Sequence, residues 1–159
     1  MKRNKSLNII KYNKKLQKRL NININDYKEY SELYSSIEIE LKLSVDKYGK
    51  FINIPNKDKE YYHIYFDNLN EEIKRNYLKK NEKVKMIKII IDYQVKSIKN
   101  FFKKSICICS IVFTKFYRIN ITDISTMFYR CLFLKEINFS NLITDNETNM
   151  SGLFMNVHH

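Results

Sequence analysis

Proline occurs once and glycine twice in 159 residues. That scarcity excludes collagen-like and Gly/Ser-linker architectures. Neither Gly49 nor Gly152 lies in a G-x-x-x-x-G-K or G-x-G-x-x-G frame, so the common phosphate-cradling loops are excluded as well. Long hydrophobic runs are missing too. The most apolar stretch, Ile106 to Phe113 (ICICSIVF), is far short of the roughly 20 residues a spanning helix needs. Residues 1–20 lack the apolar centre of a secretory signal. A cytoplasmic location is the expectation for the chain as it stands. Cysteine is confined to Cys107, Cys109 and Cys131, and an odd number with a C-x-C pair points to reduced thiols rather than a disulfide framework.

What is present is a chain with 44% hydrophobic residues, ordinary for a folded protein, and a net charge of +12. Lys outnumbers Arg 24 to 5, and Ile, Lys, Asn and Tyr, all with A/T-rich codons, make up 78 of the 159 residues. Composition alone therefore accounts for part of the lysine excess. The charge is unevenly placed: +8 over residues 1–20, −3 over 21–70, +7 over 71–105 and zero over 106–159. A basic arm and a basic waist flank a mildly acidic segment.

Residues 1–24 form the arm, where Ile9, Tyr12, Leu16 and Leu20 make one stripe of a basic amphipathic helix or belong to a lysine-rich tail. Residues 25–92 read as a small α+β module. Asp26 and Glu29 form a capping box. In Ile37–Leu43 (IEIELKL) apolar and polar residues alternate, the mark of a half-buried strand. FINI (51–54), YYHIYF (61–66) and VKMIKIIID (84–92) are further strand candidates, and 67–78 is expected to be a basic helix carrying Ile73, Tyr77 and Leu78.

Beyond residue 92 the chain repeats itself at an offset of 26. Phe102 falls on Phe128 and Phe154, Ile98 on Ile124 and Met150, Phe113 on Phe139, and Thr122 and Ser125 on Thr148 and Ser151. The units are 96–121, 122–147 and a partial 148–159. In each, the first part (Ile98, Phe101, Phe102; then Ile124, Met127, Phe128) has helical i, i+3, i+4 spacing. The second part, Leu134, Ile137, Phe139 and Leu142, spells L-x-x-L-x-L-x-x-L. A period in this range with that spacing is the pattern of a leucine-rich repeat, whose units bury their apolar faces against stacked neighbours.

The run of Thr122, Asp123, Ile124, Ser125, Met127, Phe128, Cys131, Leu134, Ile137, Phe139 and Ser140, followed by Thr148, Asn149, Met150, Ser151, Leu153 and Phe154, resembles the BspA-like leucine-rich repeats, including the variant first known from mycoplasma lipoproteins. The resemblance covers about residues 95–157, with Arg130 standing where that family usually has Gly. It implies a non-catalytic recognition surface, displayed on cells and used in adhesion. A cell-surface location is implied if the chain is a fragment of a longer exported protein. The third unit stops before its strand, so either the array continues in the natural protein or its edge is a docking surface, with self-association as one outcome.

The fold class expected from all this is mixed α and β: a small N-terminal α+β module (25–92) followed by a truncated leucine-rich-repeat solenoid of 26-residue β/α units (93–159). The expected function is protein–protein interaction without catalysis, through the strand face of the repeats. Its candidate contacts are Ser110, Val112, Thr114, Lys135, Glu136, Asn138 and Ser140, with Cys109 beside them. The alternative, from another class, is binding of nucleic acid or an anionic membrane surface by Lys2, Arg3, Lys5, Lys11, Lys14, Lys15, Lys18 and Arg19, with Lys79, Lys80, Lys83 and Lys85 able to extend the patch.

No cofactor or metal is expected. A zinc site from Cys107, Cys109, His158 and His159 is disfavoured because Cys107 and Cys109 share repeat positions with Phe133 and Lys135. Cys131 shares its position with Ser105 and reads as a packed thiol. His63 reads as structural, and Asp67, Glu71 and Glu72 as charges at a helix start.

Overall fold

The computed structural model describes residues 14–19, 35–67, 69–116, 121–139 and 148–157. Strand β1, Ile37–Leu43, follows the alternation of its sequence: Ile37, Ile39 and Leu41 are fully buried while Glu38 and Glu40 are half-exposed and Lys42 exposed. It is the middle of a five-stranded sheet. On one side it pairs antiparallel with β5, Met86–Ile91, which pairs antiparallel with β3, Tyr62–Phe66. On the other it pairs antiparallel with β6, Ile108–Lys115, and β6 pairs in parallel with β7, Glu136–Asn138. The order is β3-β5-β1-β6-β7, so one sheet runs across the sequence boundary at residue 92. A second sheet joins β2, Gly49–Lys50, to β4, Tyr77–Leu78.

Two short helices accompany these strands among the described residues: α1, Lys14–Arg19, and a 3-10 helix, Asn56–Tyr61. This overturns the expected fold class. The protein is mostly β, and no β/α solenoid is formed. The residues with helical spacing build consecutive turns instead. Within 98–105, every second amide bonds locally, Phe101 N–H to Ile98 O, Lys103 to Asn100 and Ser105 to Phe102. The amides between them point sideways: Ile98, Asn100, Phe102 and Lys104 donate to the carbonyls of Asp123, Ser125, Met127 and Tyr129. A helix would need all of these donors for itself.

Left-handed residues enforce the alternation. Asn100, Thr126 and Gly152 have φ of 58°, 52° and 61°, and Lys104, Arg130 and Asn156 have 61°, 56° and 56°. Two such residues per unit break any helix after about one turn. Arg130 keeps the left-handed turn that a glycine would adopt without strain. The expected helix over 67–78 is also absent. That segment runs irregularly into β4, with Ile73 N–H bonded to Ile64 O. FINI likewise forms no strand, although Phe51 and Ile52 are fully buried.

The 26-residue offset nevertheless has a geometric counterpart. Parallel bridges join Ser97 to Asp123 and Asp123 to Asn149. The rings of Phe102, Phe128 and Phe154 stack at centroid spacings of 5.6 and 5.4 Å, and Phe113 stacks on Phe139 at 5.2 Å. The turns cover one face of the sheet, where Ile39, Leu41, Ile64, Ile89, Ile111 and Phe113 join Phe101, Phe102, Ile124 and Phe128 in a single core. Among the described residues, a mixed sheet is thus roofed on one side by turns.

Candidate interaction surface

Among the described residues, the face of the sheet opposite the turns carries the polar side chains of its strands. Strand register sets them in rows: Tyr65, Lys88, Glu40, Val112 and Asn138 run across all five strands, and Met86, Lys42, Ser110 and Glu136 lie beside them. Glu38 ties this face together, with Lys88 Nζ at 3.2 Å and Lys115 Nζ at 3.9 Å. Such half-exposed pairs position side chains and contribute little to stability.

Of the contacts expected from sequence, Val112, Glu136 and Asn138 meet on this face, Val112 half-buried and the other two exposed. Lys135 is exposed just before β7, its N–H donating to Cys109 O at 2.9 Å. Ser110 is on the same face but only 5% exposed, and presents almost nothing to a partner. Thr114 is exposed but sits where β6 carries an extra residue relative to β1, its hydroxyl donating to Glu38 O at 3.2 Å. Cys109 is the other such insertion, between Ile108 opposite Leu43 and Ser110 opposite Lys42. The two irregularities bend the strand and re-aim the side chains beyond them. Ser140, and Lys2, Arg3, Lys5 and Lys11 of the arm, lie outside the described residues. Lys14, Lys15, Lys18 and Arg19 are exposed on α1.

Tyr65, Lys88, Glu40 and Lys42 were not among the sequence candidates. The alternation marks them as outward, but nothing local announces that β1 and β6, some seventy residues apart, are neighbours.

Several polar groups away from this face have structural partners. Burial pushes the thiols of Cys107 and Cys131 up to about 11, so both are protonated at neutral pH. Ser105 and Cys131, one offset apart, do the same job: the hydroxyl donates to Phe51 O at 2.5 Å and the thiol to Phe102 O at 2.9 Å. Each fastens its unit to the chain packed before it. Among the described residues no group of three His, Cys, Asp or Glu is placed to hold a metal ion, and no helix is long and apolar enough to cross a membrane. The histidines of the disfavoured zinc set lie outside those residues.

His63 bridges two carboxylates, Nδ1 at 3.1 Å from Glu72 and Nε2 at 3.4 Å from Asp92. A hydrogen bond from Lys74 holds the Glu72 carboxyl below its usual 4.5, with His63 adding to the effect. The Arg75 guanidinium, bonded through two nitrogens, does the same for Glu82. Both folded-state values lie below the unfolded ones, so this stabilisation is complete above about pH 4.5 and is lost as the pH falls through the lowered values. The urea midpoint is expected to decline as the pH falls below about 4.5. Glu82→Gln should shallow that decline, and an unchanged slope would show that the Arg75 pair carries none of it.

No protein-family model, no curated protein and no solved structure matches the chain.

Proposed function

We propose that the chain is a non-catalytic protein-binding module that engages a polypeptide partner through the β6–β7 corner of the sheet face opposite the turns. The observation that carries this reading is the row of outward side chains that strand register sets on the face opposite the turns. Strand register sets Val112, Glu136 and Asn138 together on the face away from the turns, Glu136 and Asn138 exposed, with Lys135 at its margin. A mixture of an aliphatic side chain, both charge signs and an amide suits a polar protein interface, where directional bonds at the rim orient the partner. The resemblance of residues 95–157 to repeats that act as recognition surfaces points the same way.

The test is site-specific photo-crosslinking in the source cells, with the probe at Asn138 and a control probe at Tyr93, which lies beyond the far end of β5. One discrete adduct at 138 and none at 93 is expected. The partner identified from it should bind the purified chain, and Lys135→Glu combined with Asn138→Ala should weaken that binding at least tenfold. Unchanged affinity would remove this corner from the interface.

A further inference from the structure

Strand direction sorts the connections into two ends of the sheet. The segments 44–50, 69–71, 79–85, 104–107 and 132–135, with Asp67, lie at the end where β1 and β3 finish and where β5, β6 and β7 begin. They are tied together: Ser44 N–H donates to Cys107 O at 2.8 Å, Leu43 N–H to Lys85 O at 3.3 Å, and Lys47 Nζ sits 4.4 Å above the Phe133 ring. Segments 55–61 and 92–97 lie at the opposite end, joined by the Asp92 N–H to Tyr61 O bond.

The two ends differ in charge and in exposed apolar surface. The first carries eight lysines, all exposed, against four carboxylates. Two of those carboxylates are occupied, Asp67 by the amides of Lys85 and Met86 and Glu82 by Arg75. Over segments 55–61 and 92–97, the described connections at the opposite end, three lysines meet three carboxylates, so those 13 residues carry no net charge. The first end also bares apolar side chains at its loop tips: Val45 is 84% exposed, Leu69 59%, Leu132 45% and Ile106 42%, with Tyr48 and Phe133 beside them. Among the described residues of segments 55–61 and 92–97, Tyr93 is the large exposed hydrophobic. A groove of about 720 Å³ separates the first loop from 78–85, with Leu43, Leu78, Lys79 and Lys83 in its lining.

We infer that this end of the sheet docks on an anionic lipid surface, the aliphatic tips entering the headgroup layer while the lysine collar meets lipid phosphates and carboxylates. Apolar tips within a basic ring are what an interfacial site combines, because burial of apolar area and attraction to anionic lipid add. A nucleic acid would reward the lysines but not Val45 or Leu132, whose aliphatic side chains offer it neither a hydrogen bond nor a stacking face. The surface is separate from the β6–β7 corner, and the inference does not rest on the function proposed above.

The experiment is co-sedimentation of the full chain with phosphatidylcholine vesicles with and without phosphatidylserine. Binding is expected only with phosphatidylserine, and is expected to weaken steeply with salt. Val45→Asp, at a side chain 84% exposed, should leave the urea midpoint unchanged, and Leu132→Asp, 45% exposed, should lower it only modestly; each should weaken vesicle binding at least fivefold and together at least tenfold. Replacing Lys14, Lys15, Lys18 and Arg19 by Gln should leave vesicle binding within twofold, which separates this end from the basic arm. Emission from Val45→Trp should shift to the blue with vesicles while that from Tyr93→Trp does not. Vesicle binding that survives both Asp substitutions, or Val45→Trp emission that does not shift with phosphatidylserine vesicles, would overturn the inference and leave a generic polyanion surface.

Discussion

Phe128→Ala is expected to lower the unfolding free energy by about 3–5 kcal/mol, within the range for removing a buried aromatic ring. Phe128 is fully buried and occupies the middle of the aromatic column, stacked on Phe102 at 5.6 Å and on Phe154 at 5.4 Å, with Phe139 edge-on at 5.8 Å. Truncation leaves a cavity bounded by three rings, and the hydrogen bonds between units, Phe102 N–H to Met127 O and Phe128 N–H to Leu153 O, hold the backbone apart and oppose collapse. Phe154→Ala provides the comparison. That ring is 48% exposed and has one stacking neighbour, so its loss should cost about 1 kcal/mol, a fraction of the burial value. Since a domain of this size is stable by roughly 5–15 kcal/mol, the first substitution should move the urea midpoint far and the second little. Equal shifts would mean that the column does not hold the units together.

The column was legible in the sequence because a fixed offset is independent of what conformation the repeated residues adopt. Phe102, Phe128 and Phe154 match at 26 whether they sit on helices or on turns. The conformation itself was not legible. Spacing of i, i+3, i+4 places Ile98, Phe101 and Phe102 on one side of a helix, but it places them equally on one side of consecutive turns. What decides between them is the φ of Asn100, Lys104, Thr126 and Arg130. Asn is tolerant of the left-handed region, and Lys, Thr and Arg give no signal for it. Hydrogen bonds from neighbouring units outweigh that local cost, a preference of the stack rather than of the segment.

The strands divide in the same way. In β1, β3 and β5 the alternation of Ile37–Leu43, Tyr62–Phe66 and Met86–Ile91 is local and was readable. The antiparallel pairing of β1 with β6 closes a long loop, and no pattern within either strand specifies its partner. The candidate surface inherits both halves of that split. Val112, Glu136 and Asn138 follow from repeat register, whereas Glu40, Lys42 and Lys88 join them only through the long-range pairing.

Nothing in the sequence marks Asn53, and its replacement should have the second large effect. The first turn unit has no unit before it to receive its carbonyls, and Asn53 stands in that place. Its backbone N–H donates to Phe101 O at 2.7 Å, and its side-chain amide reaches Asn100 O at 2.9 Å, Lys103 O at 3.0 Å and Phe101 O at 3.4 Å. Asn53→Ala leaves partly buried carbonyls without that donor, and about 1–3 kcal/mol of stability should be lost. Asn53→Asp keeps the shape and reverses the chemistry. A carboxylate set against three carbonyl oxygens offers no donor, and about 3 kcal/mol or more should be lost at pH 7. The pH dependence separates the two causes. Carbonyls facing the new carboxyl favour its protonated, donating form and raise its folded-state pKa above the unfolded value. The protonated form's stabilisation is therefore fully present below the unfolded pKa and lost as the pH rises through the folded one. Measured by urea unfolding, Asn53→Asp should be the less stable of the two at pH 7, and the gap should narrow or reverse as the pH falls toward 4. A gap independent of pH would mean that the side chain at 53 turns away from the carbonyls, and that the first unit is held by the Asn53 main chain and the Ser105 hydroxyl alone.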